Sequence, residues 1–200
     1  MLKIAVLAST KGTDLQAIID ELKAGKMPGI ELAVVISNKK NAYALERART
    51  QGYASIFLDP SNPKNKTPQE FDTEIAATLT KHNVQLVVLV GYMRILTPEF
   101  VRKFPRKIIN VHPALMPKFS GAGFYGGNVH AEVLKAGDKE TGCTFHYVDE
   151  GVDTGEIILQ KRTPVEPTDT PETLKTKVQE LEKKWYPEII RKIALDKHRN

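Results

Sequence analysis

The sequence has few of the features that stabilise proteins in oxidising compartments or anchor them in membranes. Cys143 is its single cysteine among 200 residues, so no intramolecular disulfide can form and a reducing, cytoplasmic setting is predicted. Because Cys143 lies in an apolar run, we expect it to pack as a small hydrophobic side chain. No apolar run approaches membrane-spanning length, which predicts a soluble globular protein without a membrane partner.

Several chemical motifs are also missing. The sequence has no His-Glu-x-x-His spacing and Cys143 has no neighbouring cysteine, so no metal site is predicted. The absence of Gly-x-Ser-x-Gly argues against a serine hydrolase. The net charge of +5 suits anionic ligands such as phosphates. Near the end of the chain, however, Glu180, Glu182 and Glu188 alternate with basic residues, which indicates a solvated helix rather than a nucleic-acid surface.

Apolar and amphipathic segments alternate along the first half of the chain. Runs suited to buried parallel strands occur at residues 2–8, 32–37, 55–58, 86–90 and 108–111. Amphipathic helical patterns occupy residues 14–24, 42–51 and 69–82. This order predicts an α/β fold, a Rossmann-like, mostly parallel twisted sheet with helices on both faces. Ligands of such sheets bind at the carboxyl ends of the strands.

The second half has a different pattern. Residues 144–148 and 156–162 are predicted to pair as a hairpin around the acidic turn at 149–155. A last helix is expected from Thr170 towards Ile193, with a bend or a break near Pro187. The proline-rich residues 60–68 indicate a mobile surface loop, and the glycine-rich residues 120–127 indicate a flexible flap. We expect one domain over residues 1–200.

A polar pair ends the predicted strand at 108–111. Asn110 and His112 flank Val111, and alternation along an extended chain puts both side chains on the same side. The turn at 149–155 carries Asp153 between glycines and can bring a carboxylate back against the imidazole. Acyl transfer to an amine needs an oxyanion stabilised and a proton removed, which an amide, a histidine and a carboxylate can provide. Judged by spacing alone, local hydrogen bonding is the alternative.

The segments INVHPALMPK (109–118) and GVDTG (151–155) resemble the signature of the folate-dependent formyltransferase superfamily. Residues 7–19, 37–49, 91–96 and 178–187 extend the resemblance over nearly the whole chain, to the members that act on glycinamide ribonucleotide. The resemblance implies a formyltransferase fold, with a nucleotide-binding half at 1–115 and a folate-binding half with the last helix at 116–200. It also implies transfer of a formyl group from 10-formyltetrahydrofolate to the amine of glycinamide ribonucleotide in de novo purine biosynthesis.

The same resemblance implies roles for the polar cluster. Asn110 and His112 stabilise the oxyanion, and Asp153 keeps the histidine protonated and helps a water molecule relay the amine's proton. A neighbouring carboxylate favours the imidazolium form, which agrees with this assignment. Three further residues are implied as supports of the site: Pro113, His130 and His146.

For the ribonucleotide, the resemblance implies contacts in the loop after the first strand and on the last helix: Lys11, Gly12, Thr13 and Asp14, with Gln179 and Glu182. The family pattern in the loop is Gly-x-Gly-Ser-Asn, from which this chain departs at Thr10, Lys11, Thr13 and Asp14. An aspartate at 14 puts negative charge beside a phosphate, although Lys11 adds positive charge. Alternatively, Thr13 or Asp14 serves only to cap the helix.

For the folate, the resemblance implies one wall of the pocket at Met93, Arg94, Ile95 and Leu96. The opposite wall is implied at Val148, Asp149, Glu150, Gly151 and Val152. The alternative for Met93, Ile95 and Leu96 is ordinary core packing. Pro68 replaces a family arginine that meets the folate's glutamate tail, which leaves Lys64 or Lys66 as candidates for that contact.

Two other functions are compatible with these residues. One is a sister formyltransferase acting on an amino sugar nucleotide or on charged tRNA, and the other is a non-catalytic module that binds nucleotide or folate. The altered phosphate loop favours the module, whereas the retention of Asn110, His112 and Asp153 favours an enzyme. The expected partners are small molecules, without nucleic acid, and the expected state is a monomer or a homodimer.

Overall fold

One seven-stranded sheet organises the computed structural model, which describes residues 1–121, 123–124 and 128–197. Its strands are β1 (Leu2–Ala8), β2 (Ile30–Ser37), β3 (Ser55–Phe57), β4 (Leu86–Val90), β5 (Ile108–His112), β6 (Glu140–Tyr147) and β7 (Ile157–Pro164). The helices are α1 (Thr13–Lys23), α2 (Tyr43–Thr50), α3 (Pro68–Lys81), α4 (Pro98–Lys103), α5 (Asn128–Lys135) and α6 (Pro171–Lys197).

The strand order confirms the predicted α/β fold. The strands lie side by side in the order β3-β2-β1-β4-β5-β6-β7. Neighbours from β3 to β5 are parallel, and β6 and β7 add an antiparallel hairpin beside β5. Strand order reverses between β1 and β4, which is where ligands bind in open sheets of this type.

Both faces of the sheet are covered, as the continuous apolar runs of the inner strands require. Alternate residues of β1 point to opposite faces, so Ile4 and Val6 join the core under α1 and α6, whereas Ala5 and Leu7 join the core under α3 and α4. Among the described residues, no helix is both long and apolar enough to cross a membrane.

The observed elements differ from the predicted ones in a few places. Helices α4 and α5 were not predicted: α4 has only six residues, and α5 directly follows the glycine-rich residues that were interpreted as a flap. Helix α6 runs unbroken through Pro187, so the expected division there is wrong; Pro187 and its neighbour Tyr186 are both buried against the sheet. The flap predicted at residues 120–127 lies partly outside the described residues.

Tyr186 joins α6 to the middle of the sheet. Its buried hydroxyl donates to the carbonyl oxygen of Leu89 at 2.7 Å, with the carbonyl of Ile109 at 3.3 Å. Its ring packs edge-on against Phe145, with 5.3 Å between the centroids. One phenol therefore contacts the backbone of both β4 and β5.

We expect Tyr186→Phe to lower the free energy of unfolding by about 1–3 kcal/mol, because it leaves buried carbonyl groups without a donor. Urea unfolding at neutral pH measures this change. Tyr43→Phe is the matched control, since Tyr43 is exposed and loses only a solvated hydroxyl. Equal stabilities of the two variants would show that the Tyr186 hydroxyl contributes nothing.

Candidate active site

The polar residues of β5 and β6 meet because these two strands are antiparallel neighbours. Asn110 pairs with His146 in the sheet register, and His112 pairs with Thr144. Asn110 is half-buried, whereas His112 and His146 are 3% and 1% exposed. Two imidazoles and an amide are therefore enclosed at the carboxyl end of β5, where the sequence predicted a site.

The turn between β6 and β7 brings Asp153 to these side chains. Its close approach to β6 requires glycine at 155, because a Cβ there would lie 1.9 Å from the carbonyl oxygen of Tyr147. Asp149 closes the turn by accepting hydrogen bonds from the Gly151 amide and the Thr154 hydroxyl. Asp153 itself has a left-handed backbone, with φ of +53°.

Asp153 lies between the two imidazoles. Its carboxylate is 3.2 Å from His112 Nδ1 and 3.5 Å from His146 Nε2. Burial opposes the charge on Asp153, but hydrogen bonds and charge interactions with His112 and His146 outweigh burial and hold the pKa of this carboxyl well below its ordinary value. Asp153 is consequently ionised at neutral pH.

Both ring nitrogens of His112 face hydrogen-bond acceptors. Nδ1 faces Asp153, and Nε2 lies 2.7 Å from the carbonyl oxygen of Phe119. A carbonyl and a carboxylate cannot donate, so the imidazolium form, with a proton on each nitrogen, satisfies both contacts. The structure thus shows how His112 can present a charged N–H group from Nε2.

His146 orients Asn110. The Nδ1 nitrogen of His146 lies 2.9 Å from its neighbour's carbonyl, that of Tyr147, and therefore carries a proton. Its Nε2 lies 3.3 Å from the amide nitrogen of Asn110 and 3.5 Å from Asp153. This nitrogen accepts an amide N–H bond from Asn110 when the ring is neutral and donates to the Asp153 carboxylate when the ring is charged. The three predicted catalytic residues are thus brought together around His146; their roles in catalysis stay a prediction.

His130 and Pro113 stand at the edge of this cluster. His130, on α5, is buried, and its Nδ1 has no hydrogen-bond partner among the described residues. Burial, followed by the charges of Lys175 and His112, lowers the pKa of His130 to about 4, so it is neutral at pH 7. Pro113 is half-buried directly after β5.

The loop after β1 is held against α2. Gly12 has φ of +67°, and a Cβ on it would lie 2.8 Å from the Cβ of Ala44. Arg47 donates to the carbonyl of Lys11 at 2.8 Å. The N-cap of α1 is Gly12, which has no side chain that could accept a capping hydrogen bond. The interpretation of Thr13 or Asp14 as the cap is therefore wrong.

The residues predicted to contact the nucleotide differ in exposure. Lys11 is exposed, while Thr13 and Gln179 are half-buried. Asp14 and Glu182 are buried where α1 packs against α6. Burial raises the pKa of Asp14 to about 7 despite the opposing charge of Lys183. Burial and the neighbouring Asp14 raise the pKa of Glu182 well above its ordinary value.

Comparison with known proteins agrees with this arrangement. The family model described as formyl transferase matches residues 2–190. Phosphoribosylglycinamide formyltransferase of Haemophilus influenzae is 43% identical over 192 residues, which are 96% of this chain and 86% of that protein. The chain belongs to the formyl transferase family.

Two further similarities are informative. The crystal structure of glycinamide ribonucleotide transformylase 1 from Symbiobacterium toebii has a TM-score of 0.88 at 41% identity, covering 96% of this chain and 86% of that one. The trifunctional purine biosynthetic protein adenosine-3 of Chironomus tentans is 40% identical over 193 residues, and this formyltransferase chain spans 14% of its length.

The predicted folate wall of this formyltransferase presents apolar side chains outward. Met93 and Ile95 are 51% and 73% exposed, Arg94 is half-buried and Leu96 lies in the core. Ordinary core packing therefore explains Leu96 but neither Met93 nor Ile95. Exposed apolar side chains at the end of a central strand suit a flat ligand ring.

The opposite wall lies on the turn that carries Asp153. Val148 and Val152 are half-buried, and the three residues between them are exposed: Asp149, Glu150 and Gly151. Glu150 pairs with Arg102 at 2.7 Å. The turn therefore presents two half-buried valine side chains, with exposed residues between them.

Of the two lysines considered for the folate tail, only Lys64 is available. The side chain of Lys66 is 2% exposed, and its ammonium group donates to Glu74 and to the carbonyl of Asp59. Lys66 thus fixes one end of the loop predicted to be mobile. Lys64 is exposed to solvent.

Three positioning residues were missed by the sequence analysis. Ser9 links the two predicted ligand loops, since it accepts from the Met93 amide at 2.9 Å and donates to Asn38. Thr144 and Gln160 hold the segment after Pro113 through hydrogen bonds to its backbone. Polar residues inside the apolar strand pattern were the available signal for Thr144 and Gln160.

The ion pairs of Asp153 predict a specific loss of stability in acid. A carboxyl whose pKa is lowered on folding stabilises the folded state above its unfolded pKa, near 3.8, and loses this contribution as the pH falls below it. We expect Asp153→Asn to be about 2 kcal/mol less stable than wild type at pH 7. The difference should shrink below about pH 4.

Urea unfolding from pH 7 to pH 3 measures this trend. Asp196→Asn, which removes an exposed carboxyl from α6, is the control and should follow the wild type at every pH. A difference between Asp153→Asn and wild type that stays constant with pH would contradict the ion-pair interpretation.

Proposed function

We propose that this formyltransferase transfers a formyl group from 10-formyltetrahydrofolate to the amine of glycinamide ribonucleotide, a step of de novo purine biosynthesis. The observation that carries the proposal is the contact of Asp153 with His112 beside Asn110. The names of its full-length relatives, such as the protein of Haemophilus influenzae, support this choice of substrates.

The chemistry assigned to each residue follows from its hydrogen bonds. The amine attacks the formyl carbon, and negative charge develops on the formyl oxygen. In the proposal, His112 donates to that oxygen from Nε2, and the Asn110 amide donates its remaining N–H bond. Asp153 keeps His112 charged. A water molecule beside this carboxylate relays the proton that the attacking amine loses to the folate nitrogen, whose bond to the formyl carbon breaks as tetrahydrofolate leaves.

Nucleotide binding is assigned to the α1 N-terminus and to α6. Backbone N–H groups at Gly12 and Thr13 face the phosphate and the positive end of the α1 dipole attracts it, with Lys11 adding charge. Gln179, Glu182 and Asp14 contact the ribose and phosphate end. These proposed contacts come from both halves of the chain, the loop from residues 1–115 and α6 from residues 116–200.

The folate is assigned to the walls at 93–96 and 148–152. The exposed side chains of Met93 and Ile95 fit an apolar ring, and Val148 and Val152 face it from the turn. Lys64 is the candidate for the glutamate tail. The proposal includes a cytoplasmic, monomeric or homodimeric enzyme that requires no metal and binds neither nucleic acid nor membranes.

A sister formyltransferase activity is the second candidate, because a buried aspartate at position 14 departs from the phosphate loop of the family. An assay with 10-formyltetrahydrofolate and either glycinamide ribonucleotide or an amino sugar nucleotide separates the two. Turnover of the sugar nucleotide alone would support the second candidate. Tight binding without turnover of either acceptor would support a non-catalytic module.

We expect His112→Ala and Asp153→Asn each to lower kcat by about 10² or more, because each removes an oxyanion or acid–base group. Steady-state kinetics with both substrates measure the loss, and circular dichroism verifies that the variants are folded. His82→Ala is the matched control, since His82 follows α3 and precedes the amino-terminal end of β4, whereas the site lies at the carboxyl ends of the parallel strands. Folded variants with near wild-type turnover would refute the mechanism.

A further inference from the structure

Two acidic side chains are buried together between α1 and α6. Asp14, in the first turn of α1, is 5% exposed, and Glu182, in the middle of α6, is 7% exposed. Within residues 1–121, 123–124 and 128–197, neither carboxyl forms an ion pair with a lysine, arginine or histidine. The Oδ1 atom of Asp14 is buried and has no hydrogen-bond partner in the part of the chain that the structure describes.

The surroundings offer little compensation for two negative charges. Tyr186, on the same helix as Glu182, donates its hydroxyl to the carbonyl of Leu89. Burial raises the pKa of this phenol and of the Cys143 thiol on β6, so both groups are neutral. The charged groups that act on the pair are the lysines of α6, Lys175 and Lys183, which are not in ion-pair contact with it.

Burying two ionised carboxylates without a paired cation costs more than retaining a proton. Two neighbouring carboxyl groups in such a place ionise one at a time, since the first charge disfavours the second. The observed burial and the missing partners therefore require that at least one of the two groups stays neutral when the protein folds.

We propose that Asp14 stays protonated in the folded protein because it is buried beside Glu182, and that this proton is needed for the phosphate-bearing nucleotide to bind at the N-terminus of α1. The second part rests on the proposed function, because it takes the nucleotide to lie in the loop at 11–14. The first part concerns the free protein only.

The link to the ligand is electrostatic. A neutral Asp14 leaves the positive end of the α1 dipole available to an anion, and its O–H group can donate a hydrogen bond. An ionised Asp14 puts a negative charge in the same helical turn that receives the phosphate. Loss of the proton on Asp14 therefore weakens nucleotide binding, and burial sets this loss near pH 7 by raising the pKa of Asp14 to about 7.

The stability of the free protein tests whether Asp14 stays protonated in the folded state. A carboxyl whose pKa is raised on folding destabilises the folded state as the pH rises from the unfolded pKa, near 3.8, to the folded pKa. Asp14→Asn has nearly the same shape and cannot ionise. The unfolding constant of wild type divided by that of Asp14→Asn should rise by about tenfold per pH unit between pH 5 and pH 7.

Urea unfolding without ligand measures this ratio. Asp20→Asn is the matched control, since Asp20 lies on the exposed side of the same helix, and its unfolding constant should keep a fixed ratio to wild type. Glu182→Gln is a second variant that tests the neighbouring acid, whose pKa is raised by burial and by Asp14. A ratio independent of pH for Asp14→Asn would overturn the protonation of Asp14.

Nucleotide binding tests the second part. The KM for glycinamide ribonucleotide should rise in wild type relative to Asp14→Asn above about pH 7, by about tenfold per pH unit, while the ratio of the two kcat values stays constant. Titration of the ligand's own phosphate and amine is common to all variants and cancels in the comparison. Asp20→Asn should follow the wild type.

The outcomes separate the two proposals. A pH-dependent stability ratio with identical KM profiles for wild type and Asp14→Asn would overturn the link to the nucleotide and keep the protonation of Asp14. No binding or turnover of glycinamide ribonucleotide at any pH would refute the proposed function and the link together, whereas the stability ratio would still decide whether Asp14 is protonated.

Discussion

The buried carboxylate of Asp153 is the interaction on which the site depends. Negative charge can be held there only because imidazoles approach it from two sides, His112 from β5 and His146 from β6. The three elements that carry these residues, namely β5, β6 and the turn after β6, are thus held together by the same contacts. The close approach of Gly155 to Tyr147 and the antiparallel pairing of β6 with β5 are therefore part of the same arrangement.

The change from parallel to antiparallel pairing at β5 gives the site its composition. A sheet that continued in parallel would bring only strand ends to this edge, whereas β6 runs back along β5 and adds the middle of a strand. His146 and Thr144 come from that strand. His146 orients Asn110, and Thr144 holds the segment after Pro113. The antiparallel strand β6 therefore positions residues that belong to β5 and to the segment that follows it.

Much of the fold could be predicted from sequence, because long apolar runs and amphipathic helices report burial directly. The strands at 2–8, 86–90 and 108–111 and the helix at 69–82 were found within one or two residues. The six residues of α4 carry too few turns for such a signal. The break expected at Pro187 reflects local backbone chemistry, which packing of the buried face of α6 overrides.

The site was predictable to a lesser degree. Asn110, His112 and Asp153 could be named because motifs mark them, and their proximity follows from a strand end and a short turn. The burial of Asp14 and of Lys66 could not be foreseen, since both depend on how distant helices and loops pack. A charged residue in a loop or a first turn is ordinarily solvated, and only the tertiary structure reveals the exceptions.

The carbonyl of Phe119 occupies the hydrogen-bonding position of His112 Nε2. In this conformation the backbone acts as an internal competitor, and any oxygen that binds to His112 must displace it. The apparent affinity of such a ligand therefore includes the energy of withdrawing that carbonyl. Thr144 and Gln160, which hold the preceding segment, consequently influence affinity without touching the ligand at all.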